Sequence, residues 1–138
     1  MLEKAIEIAV KAHKGQKDKA GKPYILHCLR VMNAGQTNNE MICGVLHDLV
    51  EDTPYTFDDL KREGFTEEII NALRCVTKKE GEHYDDFITR ILGNPLAVKV
   101  KINDLKDNMD ITRLNQITPV DIERLQKYKK ALQRLQAN

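Results

Sequence analysis

The chain lacks an excess of either charge: 22 Lys and Arg stand against 21 Asp and Glu, a formal charge of +1. Without a broad basic surface, duplex nucleic acid and anionic membranes are excluded as partners, and any anion must be met by local charge. Long apolar runs are missing too. The N-terminal MLEKAIEIAVKAHKG interrupts its apolar positions with charges every two or three residues, so it cannot act as a signal-peptide core, and no stretch approaches membrane-spanning length. A cytoplasmic location without membrane contact is expected. Only three cysteines occur, Cys28, Cys43 and Cys75, at spacings that suit neither a zinc knuckle nor a disulfide framework, so buried reduced thiols are expected. Strand-like alternation, internal repeats, low-complexity tracts and Gly/Ser linkers are all absent or nearly so. What remains is an all-α chain, with one domain expected over residues 1–138. Its 41% hydrophobic content is enough for a core without disulfides.

Helical spacing organises the whole length. Leu2, Ala5, Ile6, Ile8, Ala9 and Ala12 predict a first helix ending near Gly15. GQKDKAGKPY reads as a loop, followed by a helix over 25–34, the break GQTNN, and a third helix over 39–51 that Pro54 brings to an end. Thr56 and Thr66 precede acid-rich first turns and predict capped helices. Further helices are expected near 85–92, 95–110 and 119–136, the last closing the core through Ile122, Leu125, Tyr128, Leu132 and Leu135.

The densest polarity lies in HDLVEDT, directly behind the apolar run Met41-Ile42-Cys43-Gly44-Val45-Leu46. At about 100° per residue, His47, Asp48, Glu51 and Asp52 share one helix face. Three carboxylates beside an imidazole repel one another unless solvent, hydrogen bonds or a cation offsets the charge. Taken alone, the run fits a solvated helix end as well as a metal site. Two more stretches bear on the choice. His27 sits in the apolar helix start PYILHCLRV, where a lone histidine is commonly a core residue. Asp104 lies in AVKVKINDLKDNMD among apolar neighbours, where an unpaired acid is costly and a metal would explain it.

A histidine on one helix, an adjacent His-Asp on the next and an aspartate on a later one resemble the HD phosphohydrolase superfamily. The blocks AHKGQKDKAGKPYILHCLRV, GVLHDLVEDT, VTKKEG and VKINDLKDNM, from about Ala12 to Asn108, resemble more closely the alarmone hydrolase domain of the Rel/Spo enzymes, in particular the stand-alone small alarmone hydrolases. The synthetase half of the long members has no room in 138 residues.

The resemblance implies a single HD-domain helical bundle and a metal held by His27, His47, Asp48 and Asp104, with Mn²⁺ the usual ion and Fe²⁺, Co²⁺ or Zn²⁺ compatible with the same donors. It implies that Glu51 and Asp52 orient and deprotonate the attacking water. The reaction it implies is hydrolysis of the 3′-pyrophosphate of guanosine 5′-di- or triphosphate 3′-diphosphate (ppGpp and pppGpp), yielding pyrophosphate and GDP or GTP. Asn108 falls at a position near the nucleotide sugar, Lys19 and Tyr24 at substrate-loop positions, and Lys78 and Lys101 are candidate phosphate contacts. For Tyr24, as for His13, a structural hydrogen bond is an equal reading. No oligomeric state is implied.

The chain also departs from that pattern. Asp18-Lys19-Ala20-Gly21 replaces R-K-S-G, so an acid stands where an arginine packs by the base, and Asp18 is a candidate acceptor for an exocyclic amine. Asn103-Asp104-Leu105-Lys106-Asp107-Asn108-Met109-Asp110 replaces A-D-R-L-H-N-M-R, losing two arginines and a histidine. An adenosine analogue or NADPH is therefore an alternative substrate, and a nucleotide-binding module or a 5′-nucleotidase an alternative class.

Overall fold

The computed structural model describes residues 1–137. Among them the regular structure is helical: α1 Leu2–Ala12, α2 Ile25–Ala34, α3 Asn38–Leu46, α4 Leu49–Asp52, α5 Phe57–Arg62, α6 Glu67–Val76, α7 Tyr84–Ile91, α8 Pro95–Asn108 and α9 Pro119–Gln136, with a 3₁₀ turn at Ile111–Arg113. An isolated bridge between Lys17 and Pro23 is the sole strand-like pairing among the described residues.

The helices begin where local chemistry favours a start. The Thr37, Thr56, Thr66, Asn94 and Thr118 side chains each accept a backbone N–H from the first turn, and Thr56 and Thr118 form reciprocal capping boxes with Asp59 and Asp121. Pro95 and Pro119 occupy the first helical positions, where no donor is needed.

Helix α3 runs through the middle of the core. Ile42, Cys43, Gly44, Val45 and Leu46 are all buried, enclosed by α1, α2, α6 and α8. A side chain at Gly44 would place its Cβ 3.0 Å from the Met32 Cα and 3.1 Å from the Val31 carbonyl, so this glycine lets α2 and α3 touch backbone to backbone. The helix expected to continue to residue 51 instead breaks at His47 and Asp48. Asp48 adopts φ −101°, ψ 2°, and α4 starts afresh at Leu49. Leu46 and Leu49, on either side of the break, are both buried, so each segment is anchored in the core.

Three further expectations shift. Helix α8 ends at Asn108 rather than at Asp110. Cys28 and Cys43 are buried but Cys75 only partly so. Helix α9 closes the core only through its C-terminal half, where Ala131 and Leu135 are buried, whereas Ile122 is exposed.

Candidate active site

Three packed helices bring four donors together. His27 comes from the first turn of α2, His47 and Asp48 from the break after α3, and Asp104 from the third turn of α8, separated from His27 by 77 residues. One donor atom from each lies within 4.8 Å of all the others. His27 Nε2 is 3.3 Å from His47 Nε2, 3.0 Å from Asp104 Oδ1 and 3.7 Å from Asp48 Oδ2; His47 Nε2 is 3.2 Å from Asp104 Oδ1 and 2.9 Å from Asp48 Oδ2. Donors about 2.1 Å from a shared ion stand roughly 3.0 Å apart at right angles and roughly 3.4 Å apart at tetrahedral angles. The cluster spans that range.

Proton placement gives an independent test of whether a cation fits. His47 Nδ1 lies 2.6 Å from the Gly44 carbonyl and His27 Nδ1 2.6 Å from Asp107 Oδ2, both acceptors, so each Nδ1 carries the proton and each Nε2 presents a lone pair. With both rings neutral, two lone pairs and two carboxylate oxygens converge with no hydrogen between them. Burial opposes charging of His47, yet Asp48 and Asp104 overcome it and raise its affinity for a proton well above the ordinary imidazole range. A divalent cation answers the same demand for positive charge.

Asp104, 4% exposed, is further held by Lys101 Nζ on Oδ2 at 2.9 Å and Asn108 Nδ2 on Oδ1 at 3.0 Å. Burial pushes its pKa up, but Lys101 and His47 prevail and keep it well below the carboxylate norm. Lys101 is correspondingly raised, because Asp104 outweighs its own desolvation. The Tyr24 hydroxyl donates to Asp48 Oδ2.

Glu51 and Asp52 project from α4 beside the cluster. Glu51 Oε1 accepts the Lys78 backbone N–H at 3.0 Å. The Asp52 carbonyl accepts from Gln16 Nε2 at 2.9 Å, and Gln16 Oε1 lies 2.8 Å from Nδ1 of the buried His13, so the first loop braces α4. Desolvation, then Asp48 and Glu51, push the Asp52 pKa up to about 6, close to that of a useful proton acceptor at neutral pH.

Two clefts flank the cluster. One, of about 390 Å³, is walled by Lys19, Tyr24, His27, Arg30, Asp107, Asn108, Arg113, Arg124 and Tyr128. The other, of about 350 Å³, is walled by Asp48, Glu51, Asp52, Lys78, Tyr84, Lys101, Asp104 and Lys127, and it shares Tyr24, Asn108 and Tyr128 with the first. The geometry is that of a two-sided site, with His27 toward the first cleft and Asp48, Asp104, Glu51 and Asp52 toward the second.

No family model matches the chain. In sequence it is similar to the guanosine-3′,5′-bis(diphosphate) 3′-pyrophosphohydrolase of Aquifex aeolicus, 31% identical over 120 residues that cover 78% of this chain and 17% of that protein. It is also similar to a probable GTP pyrophosphokinase of Mycobacterium leprae, 32% identical over 126 residues that cover 82% of this chain and 16% of the relative. In fold it matches a solved metazoan orthologue of SpoT, described as hydrolysing ppGpp and acting in starvation responses. That match has a TM-score of 0.79 at 20% identity, over 97% of this chain and 84% of that one. The chain is a Rel/Spo-family homologue. It spans about a sixth of the length of those two curated relatives.

Within this Rel/Spo homologue the residues singled out from the sequence occupy different depths of the site. Lys19 faces the first cleft, Lys78 and Lys101 the second, and Tyr24 and Asn108 both. Lys101 spends its ammonium on Asp104 rather than presenting it free. Asp18 lines the first cleft, and its Oδ1 accepts the backbone N–H groups of Ala20 and Lys22, both at 2.9 Å, and so shapes the loop that carries Lys19. Sequence reasoning missed Arg30, Arg113, Arg124, Lys127, Tyr84 and Tyr128. The arginines come from α2, the 3₁₀ turn and α9, and no local pattern marks residues whose common cleft exists only after folding. No described helix is long and apolar enough to cross a membrane.

Proposed function

We propose that the chain is a divalent-metal-dependent hydrolase of guanosine 5′-di- or triphosphate 3′-diphosphate, releasing pyrophosphate and GDP or GTP. The observation that carries this reading is the convergence of His27, His47, Asp48 and Asp104 beside the Glu51/Asp52 pair, in a chain homologous to proteins named for that reaction. Residues 1–138 are taken as one hydrolase domain acting in the cytoplasm.

The four donors would hold the ion, with Mn²⁺ the candidate favoured for mixed imidazole and carboxylate ligation. When bound, it would supply charge to offset developing phosphoryl anions and lower the pKa of water. The chain's own groups do the rest. Asp52, with Glu51 beside it, accepts the proton of the attacking water. The water oxygen bonds to the phosphorus on O3′, the P–O3′ bond breaks, O3′ leaves as the ribose hydroxyl by taking a proton from solvent, and Asp52 returns its proton to solvent. Asn108, between the two clefts, is placed to orient the sugar. Lys78 and Lys127 supply charge to the departing pyrophosphate. The first cleft takes the nucleoside and 5′-phosphates, with Lys19 on its wall.

A second substrate, the adenosine analogue, is favoured by one observation: an acid, Asp18, lines the nucleoside cleft from the loop, with its Oδ1 engaged by backbone N–H groups. The deciding experiment is steady-state hydrolysis of guanosine and adenosine 3′-pyrophosphate nucleotides beside NADPH and GMP, with Mn²⁺, followed by chromatography. Pyrophosphate together with GDP or GTP is the expected product. Comparable rates on GMP would make the chain a 5′-nucleotidase, and no turnover with metal bound would make it a binding module.

A further inference from the structure

We propose that Asp107 is a positioning residue that sets the metal affinity of the chain through His27, with Arg30 and Arg113 as its counter-charges. The proposal rests on the metal half of the function above and not on the identity of the substrate.

The two histidines of the cluster are held differently. His47 gives its Nδ1 proton to a neutral backbone carbonyl, whereas His27 gives its own to a carboxylate, Asp107 Oδ2, at 2.6 Å. A charged acceptor behind the ring fixes the tautomer and increases electron density at Nε2, so His27 is the stronger donor of the pair. Asp107 occupies the place where the pattern described above has a histidine, so the anionic partner is a feature of this chain.

The carboxylate is itself restrained. Arg30 Nε donates to Asp107 Oδ1 at 2.7 Å, and Arg113 donates to the Asp107 carbonyl at 2.8 Å and lies 3.4 Å from Oδ2. One carboxylate thus balances the Arg30 guanidinium outright and shares Arg113 with Asp110, whose Oδ2 lies 3.0 Å from the Arg113 Nη1. Removing Asp107 takes away the donor-strengthening contact and leaves net positive charge beside a cation site. Removing the Arg30 charge does the reverse, and Arg113 still holds Asp107 in place.

A purely structural role makes a different prediction. If Asp107 only ties α2 to α8 through Arg30, breaking the tie from either end has the same effect. The test is titration of the metal-free chain with Mn²⁺ alone, read by calorimetry, with circular dichroism melting of each metal-free variant to confirm folding. Asp107→Ala is expected to weaken Mn²⁺ binding by about 10- to 100-fold, and Asp107→Asn, which keeps the shape and loses the charge, to weaken it as well. Arg30→Gln is expected to bind Mn²⁺ at least as tightly as the parent. Unchanged affinity in both Asp107 variants, or parallel losses in Asp107→Asn and Arg30→Gln, would overturn the proposal and leave the metal site standing. A parent chain that binds none of Mn²⁺, Fe²⁺, Co²⁺ or Zn²⁺ would overturn the metal reading and this proposal with it.

Discussion

Replacing Asp104 with alanine removes the group on which the cluster closes. Its carboxylate is hydrogen-bonded or ion-paired with Lys101 and Asn108 and lies within 3.2 Å of both imidazoles. Two separate losses follow. In the metal-free protein the Lys101 ammonium, whose side chain is 12% exposed, is left without its counter-ion, at a cost of about 3 kcal/mol for a broken buried pair. For 138 residues the unfolding entropy is about 0.3 kcal/mol/K, so the melting temperature drops by about 10 °C. The parent chain at 100 times its Kd for Mn²⁺ gains about 2.7 kcal/mol, a rise of roughly 9 °C. Asp104→Ala is expected to show no such rise. Differential scanning calorimetry of both proteins with and without Mn²⁺ measures all four numbers. A variant that melts lower but keeps the Mn²⁺-induced rise would refute the assignment of Asp104 as a ligand.

Glu51→Gln is expected to retain the Mn²⁺-induced rise and to lose at least about 100-fold in kcat, since the ligand set is intact while the carboxylate that orients the water and raises the proton affinity of Asp52 is gone; equal kcat would exclude Glu51 from the chemistry. Activity is expected to climb with pH as the Asp52 carboxyl, raised to about 6, gives up its proton, so the acidic limb of kcat/KM should lie at or below pH 6 once a bound cation adds its pull. The same elevation makes the metal-free fold bind more protons than the unfolded chain between the ordinary 3.8 and about 6, so this group lowers stability as pH rises through that window. Asp52→Asn should abolish both effects, and urea titrations at pH 4 and 7 report the second. Gly44→Ala gains up to about 1 kcal/mol of helix propensity but drives a Cβ against the α2 backbone, at about 1–3 kcal/mol. The net expected is a small loss of stability with a distinctly weaker Mn²⁺ affinity, because α2 moves away carrying His27. Unchanged affinity would show that the close approach does not set the His27 to His47 distance.

Much of the fold was legible because its signals are local. A threonine that accepts from the N–H three residues on needs no distant partner, so the starts at Thr56 and Thr66 could be read directly, as could the breaks at Gly15 and Pro54. The break between α3 and α4 could not. Nothing in HDLVED disfavours helix, and the irregular backbone at Asp48 is set by how Leu46 and Leu49 bury on either side of it. The inward-facing stripe of α9 was overextended for a related reason: periodicity marks a face but not how much of it meets a neighbour. Its N-terminal half lines a cleft instead.

For the site, the sequence by itself determined the kinds of donor and the helices that carry them, because HDLVEDT, PYILH and KINDLKDN each hold their chemistry in one short segment. Only the tertiary structure decided how those donors are used. It placed His27 and Asp104 3.0 Å apart across 77 residues, and it turned Asp18 into a loop brace and Lys101 into the counter-ion of Asp104. It also set Asp107, between Arg30 and Arg113, behind the ring of His27. The physical reason is range: capping and helical periodicity act within one or two turns, whereas a carboxylate's partner is whichever group packing delivers within hydrogen-bonding distance.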